Sequence, residues 1–250
     1  MKALFFSILF AIAGIAHAEV VVRVGEISDK RTTGKFFAGL EIKLLISGAQ
    51  LADAKGMRVK VESAIDQTGK DITSGGNKAV FGDEFEPLAE PFGFDDDAKK
   101  PGEYEVKLDL GNPARAAKTV KITGKIELLL PKADPASIIT ANPVKDAGKP
   151  LVHPALKAAG VELTLTEAMG DEVGYKMADP KNKVAAVEYC AADGKPLDTS
   201  GRSSMGFAGQ KTNTVSLKNK LPAGALVKIF LLTEKSVLQV PLKLDAVALP

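Results

Sequence analysis

Apolar and polar residues alternate at period two in a succession of short runs. VVVRVGEI (20–27), LEIKLLI (40–46), MRVKVESAI (57–65), YEVKLDL (104–110) and TVKITGKIELLL (119–130) carry the pattern in the first half. After Pro131 it restarts with SIIT (137–140), VELTLTEA (161–168), VAAVEY (184–189), TVSL (214–217), LVKIFLL (226–232) and VLQVPLKL (237–244). Successive side chains of a strand point to opposite faces, so each run predicts a strand with one buried and one wet side. Turn signals stand between the runs, at Thr68-Gly69-Lys70, Pro101-Gly102, Asp193-Gly194-Lys195 and Pro222-Ala223-Gly224. PALKAAG (154–160) is the best helical candidate, opened by Pro154 and stopped by Gly160. Strands without interleaved helices predict antiparallel sheets, and an all-β chain.

PKADPAS (131–137) has two prolines and no apolar pattern, which makes it the expected linker between residues 19–131 and 132–250. Each half then holds enough strands for a sandwich of two packed sheets. A faint echo joins the halves. VESAIDQTGKDI (61–72) and VEYCAADGKPL (187–197) each run from a strand into an Asp-containing Gly-Lys turn followed by an apolar residue. The expected fold is therefore two antiparallel β-sandwiches in tandem.

The first eighteen residues change the picture of where the protein works. Lys2, the apolar stretch Ala3 to Ile15 and the small-x-small site Ala16-His17-Ala18 have the three parts of a cleaved secretory signal. The apolar run is shorter than the ~20 residues that span a bilayer, and no second such run follows. A periplasmic or secreted mature chain starting at Glu19 is expected. Loss of Lys2 reduces the 33 Lys and Arg to 32, against 31 Asp and Glu. That near-neutral balance gives no long-range attraction for nucleic acid or an anionic membrane. Cys190, the single cysteine, cannot staple the chain to itself; it is either an intermolecular bridge or a buried thiol on a strand.

In strand pattern, turn placement and leader, the whole mature chain resembles the tandem immunoglobulin-like proteins exported by bacteria. The resemblance implies immunoglobulin-like sandwiches. It transfers no site residue, because the Cys-Trp-Cys core signature is missing.

Candidate chemistry is sparse. FDDDAKKPGEY (94–104) offers Asp95, Asp96 and Asp97 as an irregular calcium site, although Lys99 and Lys100 oppose the same field. Counting from Asp95, the EF-hand template fails, with Lys100 at its glycine and Val106 at its glutamate. The alternative is a solvated turn. Just upstream, Phe81, Phe85, Phe92 and Phe94 stand among carboxylates, either as anchors for a partner or as a plug for one end of a sandwich. His153 is the lone histidine of the mature chain, and GRSSMG (201–206) misses the G-x-S-x-G spacing, so nucleophilic catalysis is poorly supplied. Lys235, Pro241 and Lys243 read as guards of an exposed sheet edge. The expected function is a non-catalytic structural or binding protein of the bacterial envelope, with an envelope or extracellular protein as partner and no cofactor. A secreted carboxylate-dependent hydrolase and a calcium-stabilised adhesion module are the alternatives.

Overall fold

The computed structural model describes residues 20–32, 38–73, 85–88, 103–207 and 209–250. Strands dominate, and every strand pair is antiparallel.

The first unit has two sheets around one core. β2 (Gly39–Ser47) shows the alternation most plainly: Leu40, Ile42, Leu44 and Ile46 are each at most 1% exposed. It pairs with β1 (Val21–Lys30) on one side and β5 (Glu103–Leu110) on the other. Across the core lie β3 (Gly56–Asp66), the two-residue β4 (Glu86–Pro87) and β6 (Thr119–Leu129). Val106 and Leu108 of β5, Met57 and Ala64 of β3, and Ile122, Ile126 and Leu128 of β6 fill the same cluster as the β2 residues. Burial on this scale stabilises each large aliphatic side chain by about 2 kcal/mol.

The second unit repeats this plan. β7 (Ile138–Ala141), β10 (Val184–Cys190) and β13 (Leu226–Leu231) form one sheet in the order β10-β13-β7. β8 (Glu162–Leu165), β9 (Glu172–Ala178), β11 (Thr199–Phe207) and β12 (Gln210–Leu217) form the other, in the order β11-β12-β9-β8. Ile139, Leu163, Leu165, Val173, Val187, Val215, Val227 and Ile229 share its core, closed by Leu156 of helix α1 (Pro154–Ala159). Gly160 ends that helix at φ 72, a conformation glycine adopts without a Cβ penalty.

One strand lies elsewhere than its place in the chain suggests. β14 (Val237–Ala248), grouped by the sequence with residues 132–250, pairs along its length with β6 and belongs to the first unit's sheet, in the order β14-β6-β3-β4. Leu242 and Val247 enter the first core. This placement of β14 has a simple physical cause. The end of β6 leaves an open edge and an uncovered stretch of core, and β14 alternates in the phase that fills both. Its free side is the sheet edge, where Pro241 costs no ladder bond. The second unit is thus inserted between two adjacent strands of the first. Leu130 N donates to Ser236 O at 2.7 Å where the chain leaves and returns.

Strand succession in the two units then agrees except at one strand, β4 pairing with β3 where β11 pairs with β12. β1-β2-β5 corresponds to β8-β9-β12 and β3-β6 to β10-β13, while the place of β14 beside β6 is taken by β7 beside β13. The echoed turns share their hydrogen bonds. Asp66 N donates to Lys70 O, Gly69 N to Asp66 O and Ile72 N to Ala64 O; in the second unit Ala191 N, Gly194 N and Leu197 N donate to Lys195 O, Ala191 O and Tyr189 O. Gly69 and Gly194 hold φ of 88 and 83, which explains the glycine in both turns.

The segment 131–137 is a folded connection of two short 3-10 turns, with Pro131 and Ser137 buried. Asp134 Oδ2 accepts the Thr233 hydroxyl at 2.7 Å, tying the outgoing chain to the returning one. Nearby, Lys55 Nζ sits 3.1 Å from the Glu188 carboxylate and 5.8 Å from the Phe230 ring centroid. Leu129 and Phe230 are buried yet belong to neither core cluster.

Candidate functional site

The face of the first unit's sheet turned towards the insertion carries an unusual charge arrangement. Arg58 of β3, Glu127 of β6 and Gln239 of β14 are directly opposite one another across the three strands, with Lys60 and Lys125 forming the next row. Glu127 is 3% exposed. Its carboxylate accepts from Arg58 Nε and, at 3.2 Å, from Gln239 Nε2, with Lys60 and Lys125 ammoniums at 3.5 and 3.6 Å. Burial pushes the Glu127 carboxyl up, but the Arg58 hydrogen bond and the surrounding cations outweigh it and hold the group below the ordinary carboxylate range.

A cleft of about 610 Å³ opens over this row. Its far wall comes from the β9–β10 turn, with Lys181, Asn182 and Lys183, and from Leu232, Thr233 and Glu234 before β14. Asn182 is held at φ 49, a left-handed conformation that asparagine tolerates better than most residues. Arg58, Asn182 and Leu232 also line a second cavity of about 230 Å³, with Phe85, Tyr175, Met177, Ser204 and Asn213 among its other residues. Asn213 Nδ2 is buried there without a hydrogen-bond partner among the described residues.

Comparison with protein families, with curated proteins and with solved structures finds nothing that matches this chain.

Of the residues singled out in the sequence, Phe85 falls at the site. Its half-buried ring lies under the Arg58 guanidinium, 4.3 Å from centroid to Cζ. Phe81, Phe92, Phe94, Asp95, Asp96 and Asp97 lie outside the described residues. Among the described residues, no group of three or more His, Cys, Asp or Glu is placed to hold a metal. His153 caps α1, its Nδ1 accepting from Ala155 N at 3.2 Å. Cys190 is fully buried on β10, and burial raises its thiol. GRSSMG runs along β11, an edge strand of its sheet. No described helix is long and apolar enough to cross a membrane.

Glu127 escaped sequence reasoning because its alternation with Ile126 and Leu128 makes it look solvent-facing. One signal was present: IELLL ends β6 without returning to strict alternation, and residues 126–129 are all buried. Such a run marks a strand covered on both faces.

Proposed function

We propose that this chain is an exported, non-catalytic binding protein of the bacterial envelope, built from two immunoglobulin-like sandwiches of which the second is inserted in the first. The observation that carries the reading is the cleft between the units. Because the chain passes between them twice, at Leu130 and at Ser236, the inserted unit is tethered by two connections, and the walls of the cleft are held together. Such crevices between units are common binding sites.

The ionic state of Glu127 favours binding over hydrolysis. A general acid needs a carboxyl raised towards neutrality, whereas this one is held down by Arg58 and its neighbours. A side chain committed to four partners is a scaffold for the cations around it. The signal-like segment 1–18 supports export.

Two measurements test the reading. Protein recovered from a periplasmic or extracellular fraction is expected to begin at Glu19. The same material is expected to leave glycoside, ester and peptide substrates intact. Turnover that disappears in Glu127→Gln would replace the binding reading with a hydrolase.

A further inference from the structure

We infer that the cleft between the units binds a compact, multiply charged anion, of the phosphate-ester or diphosphate class. This rests on the binding reading above and names the ligand chemistry of that site. Lys60 of the floor is directly opposite Lys125 across the β3–β6 ladder, Lys125 itself standing outside the cleft lining. Like charges at directly opposite positions destabilise a sheet, and the Lys60 and Lys125 ammoniums share the single carboxylate of Glu127. Lys181 and Lys183 add two more charges from the opposite wall, and neither has an ion-pair partner among the described residues. Among the described cleft-lining residues, Arg58, Lys60, Lys181 and Lys183 stand with two carboxylates, Glu127 and Glu234. The excess is local, for the chain as a whole is nearly neutral.

The shape agrees with the charge. A volume of about 610 Å³ suits a small molecule. Lys60 on the floor and Lys181 and Lys183 on the opposite wall fit a ligand that concentrates charge in one group. A phosphoryl group carries about −1.5 to −2 and three acceptor oxygens. Glu127 holds the Lys60 ammonium in place beside the ligand position, and Glu234 works against the ligand from the rim.

Inorganic pyrophosphate is the probe, titrated calorimetrically into the full mature protein at about 20 mM salt, where screening is weak. Saturable one-to-one binding is expected. Lys181→Ala/Lys183→Ala, two exposed turn substitutions, is expected to weaken it at least tenfold. Lys30→Ala/Lys107→Ala removes the same charge from the β1-β2-β5 sheet on the other side of the core and is expected to change it less than twofold. Glu234→Gln is expected to tighten binding about threefold, an effect a purely structural role would not produce. Co-sedimentation with vesicles containing phosphatidic acid separates the sources: pelleting that pyrophosphate reverses assigns a lipid-borne phosphate, and no pelleting assigns a soluble one. Absence of binding, or equal weakening by the two double variants, overturns the inference and leaves the non-catalytic reading standing. Release of orthophosphate from bound pyrophosphate would overturn that reading and leave the anion site.

Discussion

Leu130 and Ser236 meet through a 2.7 Å backbone hydrogen bond, although an entire folded unit separates them in sequence. Locally the pair closes a hairpin: Val237 is opposite Leu129, and β14 then runs back along β6 as far as Ala248 opposite Thr119. Seen this way, the inserted unit occupies the loop of that hairpin. Loop-closure entropy grows only slowly with loop length, and a loop that is itself folded keeps its ends close, so the insertion costs the first unit little.

The two units are also expected to communicate through Lys55. Its backbone N–H donates to Leu129 O inside the first unit, while its ammonium reaches Glu188 and lies over the Phe230 ring in the second. A double-mutant cycle with Lys55→Met and Glu188→Gln, followed by denaturant melts, should give a coupling of about 1 kcal/mol that shrinks as salt is added. Additive effects of the two substitutions would show that the contact does not couple the units.

Asp66 sets a pH dependence in the first unit. Burial pushes its carboxyl up, but hydrogen bonds from Ala114 N, from Thr68 N and hydroxyl, and from Lys70 N prevail and hold it at about 2, against an ordinary 3.8. The folded group is the stronger acid, so its stabilisation is complete above the ordinary value and lost as pH falls through about 2. Asp66→Asn should be less stable than the parent by about 1–2 kcal/mol at pH 7, on a scale of about 1.4 kcal/mol per pKa unit. Between pH 5 and pH 2 the gap should close. A gap independent of pH would mean the carboxylate is not the stabilising species.

How much of this was legible in the sequence depends on what each residue reports. β2 and β5 were readable because each has one face in a core and one in water, and alternation is a local record of that. The turns at Gly69 and Gly194 were readable because their glycines sit at left-handed positions. The partner of β14 was not. Pro241 and Lys243 mark an edge strand, but an edge has the same composition whichever sheet it closes. Glu127 was illegible for a related reason, since the groups packed around its carboxylate include Arg58 and Lys60 of β3 and Gln239 of β14, strands remote from it in sequence. Phe85 stood out as an aromatic among acids, yet its stacking partner Arg58 lies in an ordinary strand run.

Gly124, the one glycine of β6, should tolerate no side chain. A Cβ there would stand 2.1 Å from Lys60 O and 3.1 Å from Val61 Cα, both backbone atoms beside the β3 bulge between Val61 and Ser63. Neither atom can swing away as a side chain would. Gly124→Ala is therefore expected to cost about 3 kcal/mol in a urea melt, whereas Gly201→Ala on the edge strand β11, whose nearest neighbours are 3.9 Å away, should cost less than about 1 kcal/mol. Equal costs would show that the β3–β6 spacing is looser than described.

The insertion itself is tested most directly by cutting the chain in two ways and melting the products. Residues 20–131 alone lack β14 and are expected to show no cooperative transition, with amide exchange unprotected along β6. Residues 20–130 joined by a short turn to 236–250, so that β6 runs straight into β14, are expected to melt cooperatively with β6 protected. If residues 20–131 alone melt as cooperatively and at the same temperature as the rejoined chain, β14 is not a structural member of the first unit and the account fails.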